Sequence, residues 1–286
     1  MSENGITAIV FPGQGSLSEG MWELVERRRP DLLELAAEAV GEDPFARLGE
    51  DTRFDQPAIF CASLAGFDAL ARPEPDFFAG HSLGEIAALV AAGALSETDG
   101  LALVVERGRL MAEAGVGAGG GMLAVRASRA DAEPFARRNG LVVANDNAPD
   151  QVVLSGPDDA IATAEREARQ LGMRAKRLAV AGAFHSPAIA QAVEPFRTRL
   201  EEIEFARPEV PVFSCVTAEP FGDPRRRLAE ALVSPVRWLE VMRKLQALGV
   251  RRIVEAGPGR VLAGLIRRSL GGVEAEAAEA LEVARA

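Results

Sequence analysis

The chain has no tyrosine, two tryptophans, two histidines and two cysteines in 286 residues, and its 32 Lys and Arg fall short of its 42 Asp and Glu. Without tyrosine, no phenol can act as general acid or oxyanion donor. Cys61 and Cys215 stand far apart, with no C-x-x-C or other metal spacing, which suits a reducing compartment and places both in the core; no metal site is expected. The net charge of −10 argues against broad binding to nucleic acid or anionic membrane, because local basic clusters such as Arg225 to Arg227 and Arg267–Arg268 are ordinarily solvated surface. No segment is long and apolar enough to span a bilayer. "MSENGITAIVFPG" has a brief apolar run without a cationic start, so it reads as a first strand and not as a signal peptide. A cytoplasmic monomer is expected.

Glycine is plentiful, and one placement stands out. In "FFAGHSLGEIAALVAAGAL", Ser82 sits between Gly80 and Gly84 in a G-x-S-x-G pattern, after a short strand (Pro75 to Ala79) and before a helical stripe of Ile86, Ala87, Val90 and Ala91. That setting holds a serine on a sharp strand-to-helix turn with its hydroxyl exposed, as a nucleophile requires. The alternative is an ordinary turn serine. "GVGAGG", at 115–120, matches G-x-G-x-x-G but follows a helix and precedes a strand, the reverse of a dinucleotide fingerprint, so no nicotinamide or flavin site is expected.

The element order predicts an α/β fold. A strand at 6–11 ends at "FPGQGS". A helix opens at Gln56 with Pro57 in its first turn, and another is capped by Ser96 and ends near Gly115. Between 120 and 181 the order becomes strand, helix, strand, strand, helix, strand, the ferredoxin-like signature. The expected division is a large subdomain at 1–119 and 182–286 with parallel sheet, and a small inserted subdomain at 120–181, the glycine run 115–121 acting as one hinge. Strands near 210–216 and 252–255 and a final helix from Arg260 follow. The tail from Gly271 reads as mobile.

A serine nucleophile needs a base. His81 adjoins Ser82, so its side chain leaves the turn in another direction and packs or bonds beside it. His185 in "GAFHSP" is the base by elimination; otherwise it caps the following helix. No candidate aspartate stands in a recognisable loop to orient it, and a backbone carbonyl could do that work instead. Arg107 has Leu103, Val104, Leu110 and Met111 at helical spacing, which puts a cation inside a buried stripe. It must meet either a structural carboxylate or an anionic ligand. Arg109, flanked by Glu106 and Glu113, belongs to the solvated face. Gln14 follows the first strand, where its N–H could join that of Leu83 as an oxyanion hole, unless "PGQG" is merely a turn. Glu85 reads as structural, favouring the dipole of the helix it opens.

Taken in order, "FPGQGS", "GHSLGE", "ERGRLM", "NDNAPDQVVLSG", "GAFHS", "SPVRW" and "EAGPG" resemble the malonyl-CoA:acyl carrier protein transacylase family over nearly the whole chain. The resemblance implies an α/β-hydrolase-like body with a ferredoxin-like insert. It also implies ping-pong transfer of malonyl from malonyl-CoA to the phosphopantetheine thiol of acyl carrier protein, without metal or bound cofactor, for fatty acid or polyketide synthesis. In that family's terms Ser82 is acylated, His185 is the base, Arg107 grips the malonyl carboxylate, and Gln14 with Leu83 forms the oxyanion hole. Asn147 lies near the histidine and substrate, Phe184 marks the malonyl-selective type, and carbonyls, one near "SPVRW", orient the imidazole. Leu17 departs from the family's frequent glutamine. A serine hydrolase or thioesterase would share the elbow, and an idle carrier-binding module would lack a reactive serine.

Overall fold

The computed structural model describes residues 5–71 and 74–278. Five parallel strands form the first sheet: β1 (Thr7–Phe11), β2 (Phe77–Gly80), β7 (Val212–Phe213), β8 (Arg252–Glu255) and β9 (Glu274–Ala277), in the order β7-β2-β1-β8-β9. The central strand β1 is an unbroken apolar run because it is covered on both faces. Ile9 and Phe11 face one core; Ala8 and Val10 face the other.

On the first face lie α1 (Met21–Arg28), α2 (Pro30–Val40), α3 (Thr52–Ala69), α4 (Gly84–Ala91) and α5 (Glu97–Ala118). The second sheet contains β3 (Gly120–Val125), β4 (Val142–Ala148), β5 (Gln151–Pro157) and β6 (Ala175–Arg177), antiparallel in the order β4-β5-β3-β6. Helices α6 (Arg129–Arg138) and α7 (Asp158–Gln170) cover it over a third core. The expected βαββαβ order and strand arrangement are present. After β6 come a 3₁₀ turn (Pro187–Ala192), α8 (Val193–Glu201), α9 (Pro224–Ala231), α10 (Trp238–Ala247) and α11 (Val261–Ser269).

Several local expectations are corrected. Helix α3 starts at Thr52 and not Gln56, because the Asp51 carboxylate caps it by accepting the Arg53 N–H; Pro57 therefore lies inside the helix. Helix α5 runs through Gly115 to Ala118, so only the end of the glycine run leaves the helix. Gly115 is there because a side chain would overlap the Ala181 carbonyl. The strands expected at 174–180 and 210–216 shorten to three and two residues. Helices α1, α2, α9 and α10 were not read from the sequence.

The segment expected to be mobile from Gly271 contains β9, an edge strand on β8 whose Glu276 pairs with Arg252 at 2.6 Å. Alternation of alanine and glutamate suits an edge with one packed and one wet face. The rest of that tail, 279–286, lies outside the described residues.

The parallel strands end at one edge, where open α/β sheets gather their functional loops. At the end of β8, in "EAGPG", fully buried Glu255 accepts the N–H groups of Leu262 and Ala263 at 3.1 and 2.8 Å. These are orphan donors of the first turn of α11. Truncation would strand them, at a cost of about 1–3 kcal/mol. We expect Glu255→Ala to lower the melting temperature by roughly 2–8 °C for a chain of this size, and Glu255→Gln, which keeps one acceptor, to lower it less. Calorimetry checks this; an unchanged transition in the alanine variant contradicts it.

Candidate active site

Strand β2 stops at Gly80 and the chain reverses into α4 within three residues. Two glycines make that possible: a side chain at Gly80 would overlap the Gly84–Glu85 peptide, and one at Gly84 would overlap the Phe11 carbonyl. Between them Ser82 adopts φ +56°, the left-handed region that a non-glycine residue seldom occupies. His185 does the same at φ +55°. Two side chains carried on strained backbone meet: Ser82 Oγ and His185 Nε2 are 2.8 Å apart. Strain of this kind persists only where surrounding structure enforces it.

The tautomer follows from the other ring nitrogen. His185 Nδ1 lies 2.8 Å from the Ala231 carbonyl, which can only accept, so Nδ1 carries the proton and Nε2 accepts from the serine hydroxyl. Among the described residues no acid orients the ring. The Ala231 carbonyl belongs to α9, and the backbone of Ser234, the first residue of "SPVRW", also acts on the ring.

Arg107 is 3% exposed and lies on α5 amid its apolar side. Its Nη2 donates to Ser82 Oγ at 2.9 Å and its Nη1 to Gln56 Oε1 at 2.7 Å. Among the described residues no carboxylate oxygen lies within 4.0 Å of it. Of the two partners the sequence allowed, a structural carboxylate is therefore absent from contact. Burial lowers its pKa to about 10, partly offset by the charge of Glu85, so it remains a cation at neutral pH. Arg109, as expected, pairs at the surface with Glu106 and Glu113, both at 2.7 Å.

Gln14 and Leu83, which follow the ends of β1 and β2, both line the cavity beside Ser82, and among the described residues no backbone acceptor is paired with either N–H. His81 turns away from the elbow, bonds Asn147 Oδ1 through Nε2 at 2.9 Å and packs edge-on against Trp238. All seven residues singled out from the sequence (Gln14, Ser82, Leu83, Arg107, Asn147, Phe184 and His185) line one cavity of about 380 Å³ between the two sheets. Sequence reasoning missed Gln56, Thr52 and Asp55. The signal was a buried polar pair, Asp55–Gln56, at the head of the apolar run "PAIFCASLAGF". It was read as a helix start.

Glu85 is more deeply placed than a dipole partner needs to be. It is fully buried and accepts the Cys215 N–H at 2.7 Å. Burial raises its carboxyl to about 7, against the opposing pull of its bonds to Cys215 and Ser214 and of the Arg107 charge. It does not line the cavity.

A parallel α/β sheet with a serine on a strained strand-to-helix turn, joined to an antiparallel βαββαβ unit, defines an α/β-hydrolase-like protein with a ferredoxin-like insert. The chain belongs to the acyl transferase domain family, whose model matches residues 35–284. It is 37% identical to the malonyl CoA-acyl carrier protein transacylase of Bacillus subtilis, over 91% of this chain and 89% of that one. It is 41% identical to the polyketide biosynthesis protein ThaF of Burkholderia thailandensis over 92% of this chain, but spans 24% of that protein's length and 14% and 4% of two polyketide synthases. Among solved structures, the malonyl-CoA:acyl carrier protein transacylase of Xanthomonas oryzae superimposes with a TM-score of 0.89 at 33% identity, covering 98% of each chain. Among the described residues no helix is long and apolar enough to cross a membrane.

Burial first, and then the Arg107 charge, push the His185 pKa down to about 3; burial also lowers that of His81. A lowered pKa means that the neutral imidazole persists as pH falls, until the folded value is reached. We expect the His185 ring resonances to show no inflection between pH 5 and 8 by NMR, and those of His81 to titrate below the ordinary imidazole range. A titration near 6.5 in either would contradict the buried geometry.

Proposed function

We propose that the chain transfers the malonyl group of malonyl-CoA to the phosphopantetheine thiol of acyl carrier protein, in the cytoplasm, through a malonyl ester on Ser82. One observation carries this reading: a buried guanidinium without a carboxylate partner donates directly to the candidate nucleophile. A planar fork in that position suits the free carboxylate of a malonyl thioester. A hydrolase on the same elbow has no use for it. The proposed organisation is a large subdomain, 1–119 and 182–286, and a small one, 120–181, with the substrate between them.

In the first half-reaction the Ser82 hydroxyl gives its proton to His185 Nε2 while its oxygen attacks the thioester carbonyl. The N–H groups of Gln14 and Leu83 stabilise the developing oxyanion. Collapse breaks the carbon–sulfur bond, and the departing thiolate takes the proton from the imidazolium. The carrier thiol then reverses these steps: its proton goes to His185, its sulfur attacks the ester, and Ser82 leaves and is reprotonated. Arg107 and Asn147 hold the acyl group, and Phe184 shapes the space around it. No cofactor is required.

The carrier is expected to meet a basic pocket beside the cavity. Arg126, Arg174, Lys176 and Arg268 line it with a single carboxylate, Asp150, and it shares Ala124 and Gln151 with the cavity. The neighbouring Arg177 and Arg267 are engaged elsewhere, by Asp158 and the Ala275 carbonyl. In a protein of net charge −10, attraction to an acidic partner has to be local in this way. Replacing Arg174 and Lys176 by glutamate should raise KM for carrier protein at low salt at least tenfold; unchanged KM would move the docking face elsewhere.

Ser82→Ala should abolish the malonyl adduct seen by intact mass, and His185→Ala should slow its formation by roughly 100-fold or more. Arg107→Ala should lose malonyl transfer by roughly 100-fold or more while keeping or gaining acetyl transfer, because it removes both the attraction and the cost of leaving the cation unpaired. A variant with a reduced melting temperature that is inactive on both thioesters would instead make Arg107 structural.

A further inference from the structure

Five hydrogen bonds run unbroken from the nucleophile to a buried carboxylate. Arg107 Nη2 donates to Ser82 Oγ, and its Nη1 donates to Gln56 Oε1 at 2.7 Å. Gln56 Nε2 donates to Thr52 Oγ1 at 3.0 Å, Thr52 Oγ1 to Gln14 Oε1 at 2.6 Å, and Gln14 Nε2 to Asp55 Oδ2 at 3.0 Å. The other carboxylate oxygen of Asp55 accepts the Gly49 N–H at 2.8 Å.

The direction of this chain cannot reverse. A guanidinium only donates, so Gln56 must present its oxygen and turn its amide nitrogen to Thr52. The hydroxyl then has one proton to give, and Gln14 receives it. That leaves the Gln14 amide nitrogen needing an acceptor, which the Asp55 carboxyl oxygen supplies. Every dipole is aligned from the cation to the anion, and such bonds strengthen one another in a low-dielectric interior. Gln56 and Asp55 are 0% and 4% exposed.

We propose that Asp55 is the anionic terminus of this one-way chain, and that the chain positions Gln14, hence the backbone N–H that faces the reacting carbonyl. The inference rests on the acyl-serine reading above. Asp55 and Thr52 act through Gln14 and so are positioning residues. Their job is to fix the oxyanion loop against α3, with Arg107 anchored at the other end of the same chain.

The test is single-turnover acylation of Ser82, followed by intact mass with malonyl-CoA and with acetyl-CoA, each rate normalised to the folded fraction. Thr52→Val removes the relay at constant shape, Asp55→Asn removes the charge, and Thr52→Ser restores the hydroxyl. We expect the first two to slow acylation at saturating donor by roughly tenfold or more on both acyl groups, short of the 10²–10³ loss seen when an oxyanion donor is deleted. The malonyl-to-acetyl ratio and the half-saturating concentration should stay within about twofold, and Thr52→Ser should recover to within about threefold of the parent. Rates within twofold of the parent in both Thr52→Val and Asp55→Asn would overturn the proposal. So would a loss confined to malonyl-CoA, which assigns the chain to Arg107 alone, or a loss that Thr52→Ser does not repair, which makes it structural. A parent that forms no Ser82 adduct defeats the functional reading itself, and this proposal with it.

Discussion

The site depends on a guanidinium held in the interior without a carboxylate in contact. Burial of a cation is tolerated only when its hydrogen bonds are made and some charge of opposite sign is felt. Arg107 has two neutral partners, Gln56 and Ser82, and the Glu85 carboxyl acts on it from behind the elbow. With burial raising Glu85 to about 7, its compensating charge is only partial near neutrality. Among the described residues, one of its oxygens, Oε2, has no hydrogen-bond partner. The Arg107 cation places its positive field directly at the serine. That field also disfavours imidazolium at His185, so one cation both suits an anionic acyl group and holds the candidate base neutral.

Backbone strain is the second requirement, and it is distributed. Ser82 and His185 both take left-handed conformations, each costing about 1–3 kcal/mol. Close packing of β1 against the elbow enforces the first, since the His81 N–H donates to the Phe11 carbonyl at 2.9 Å. The second is held where the 3₁₀ turn begins, by the Ser186 hydroxyl bonding the Ala183 carbonyl at 2.6 Å and the Ala231 carbonyl fixing the ring. An acid is unnecessary because a carbonyl sets the same tautomer without adding a buried charge.

The two sheets meet at a seam that also serves the site. Strand β4, the edge of its sheet, pairs along its outer side with Val236: the Val236 N–H donates to the Ala144 carbonyl at 2.8 Å and the Asp146 N–H to the Val236 carbonyl at 2.9 Å. Val236 lies in "SPVRW", directly after the segment whose carbonyl orients His185. The antiparallel unit and the imidazole thus hang from one stretch of chain. Asn147, one residue beyond that pairing, reaches His81 on the elbow.

Much of this was legible in the sequence because it is written in local pattern. G-x-S-x-G before an apolar helical stripe determined the serine turn, helical spacing put Arg107 on the buried side of α5, and the βαββαβ order marked the second sheet. The scarcity of histidine left His185 as the one candidate base. The misreadings are the places where distant chain overrides pattern. Glu274 to Ala277 is alanine and glutamate with no apolar run, yet it becomes a strand because β8 offers an open edge. Gln56, read as the opening of a helix, is the partner of Arg107 from 51 residues away. The carbonyl that orients His185 comes from 46 residues downstream, and the chain from Arg107 to Asp55 exists only once α3, α5 and the loop after β1 are packed together. Periodicity decides which side of an element is buried. Only closure of the tertiary structure decides which group it is buried against, because hydrogen-bond partners are selected by direction and distance in space and leave no periodic trace along the chain.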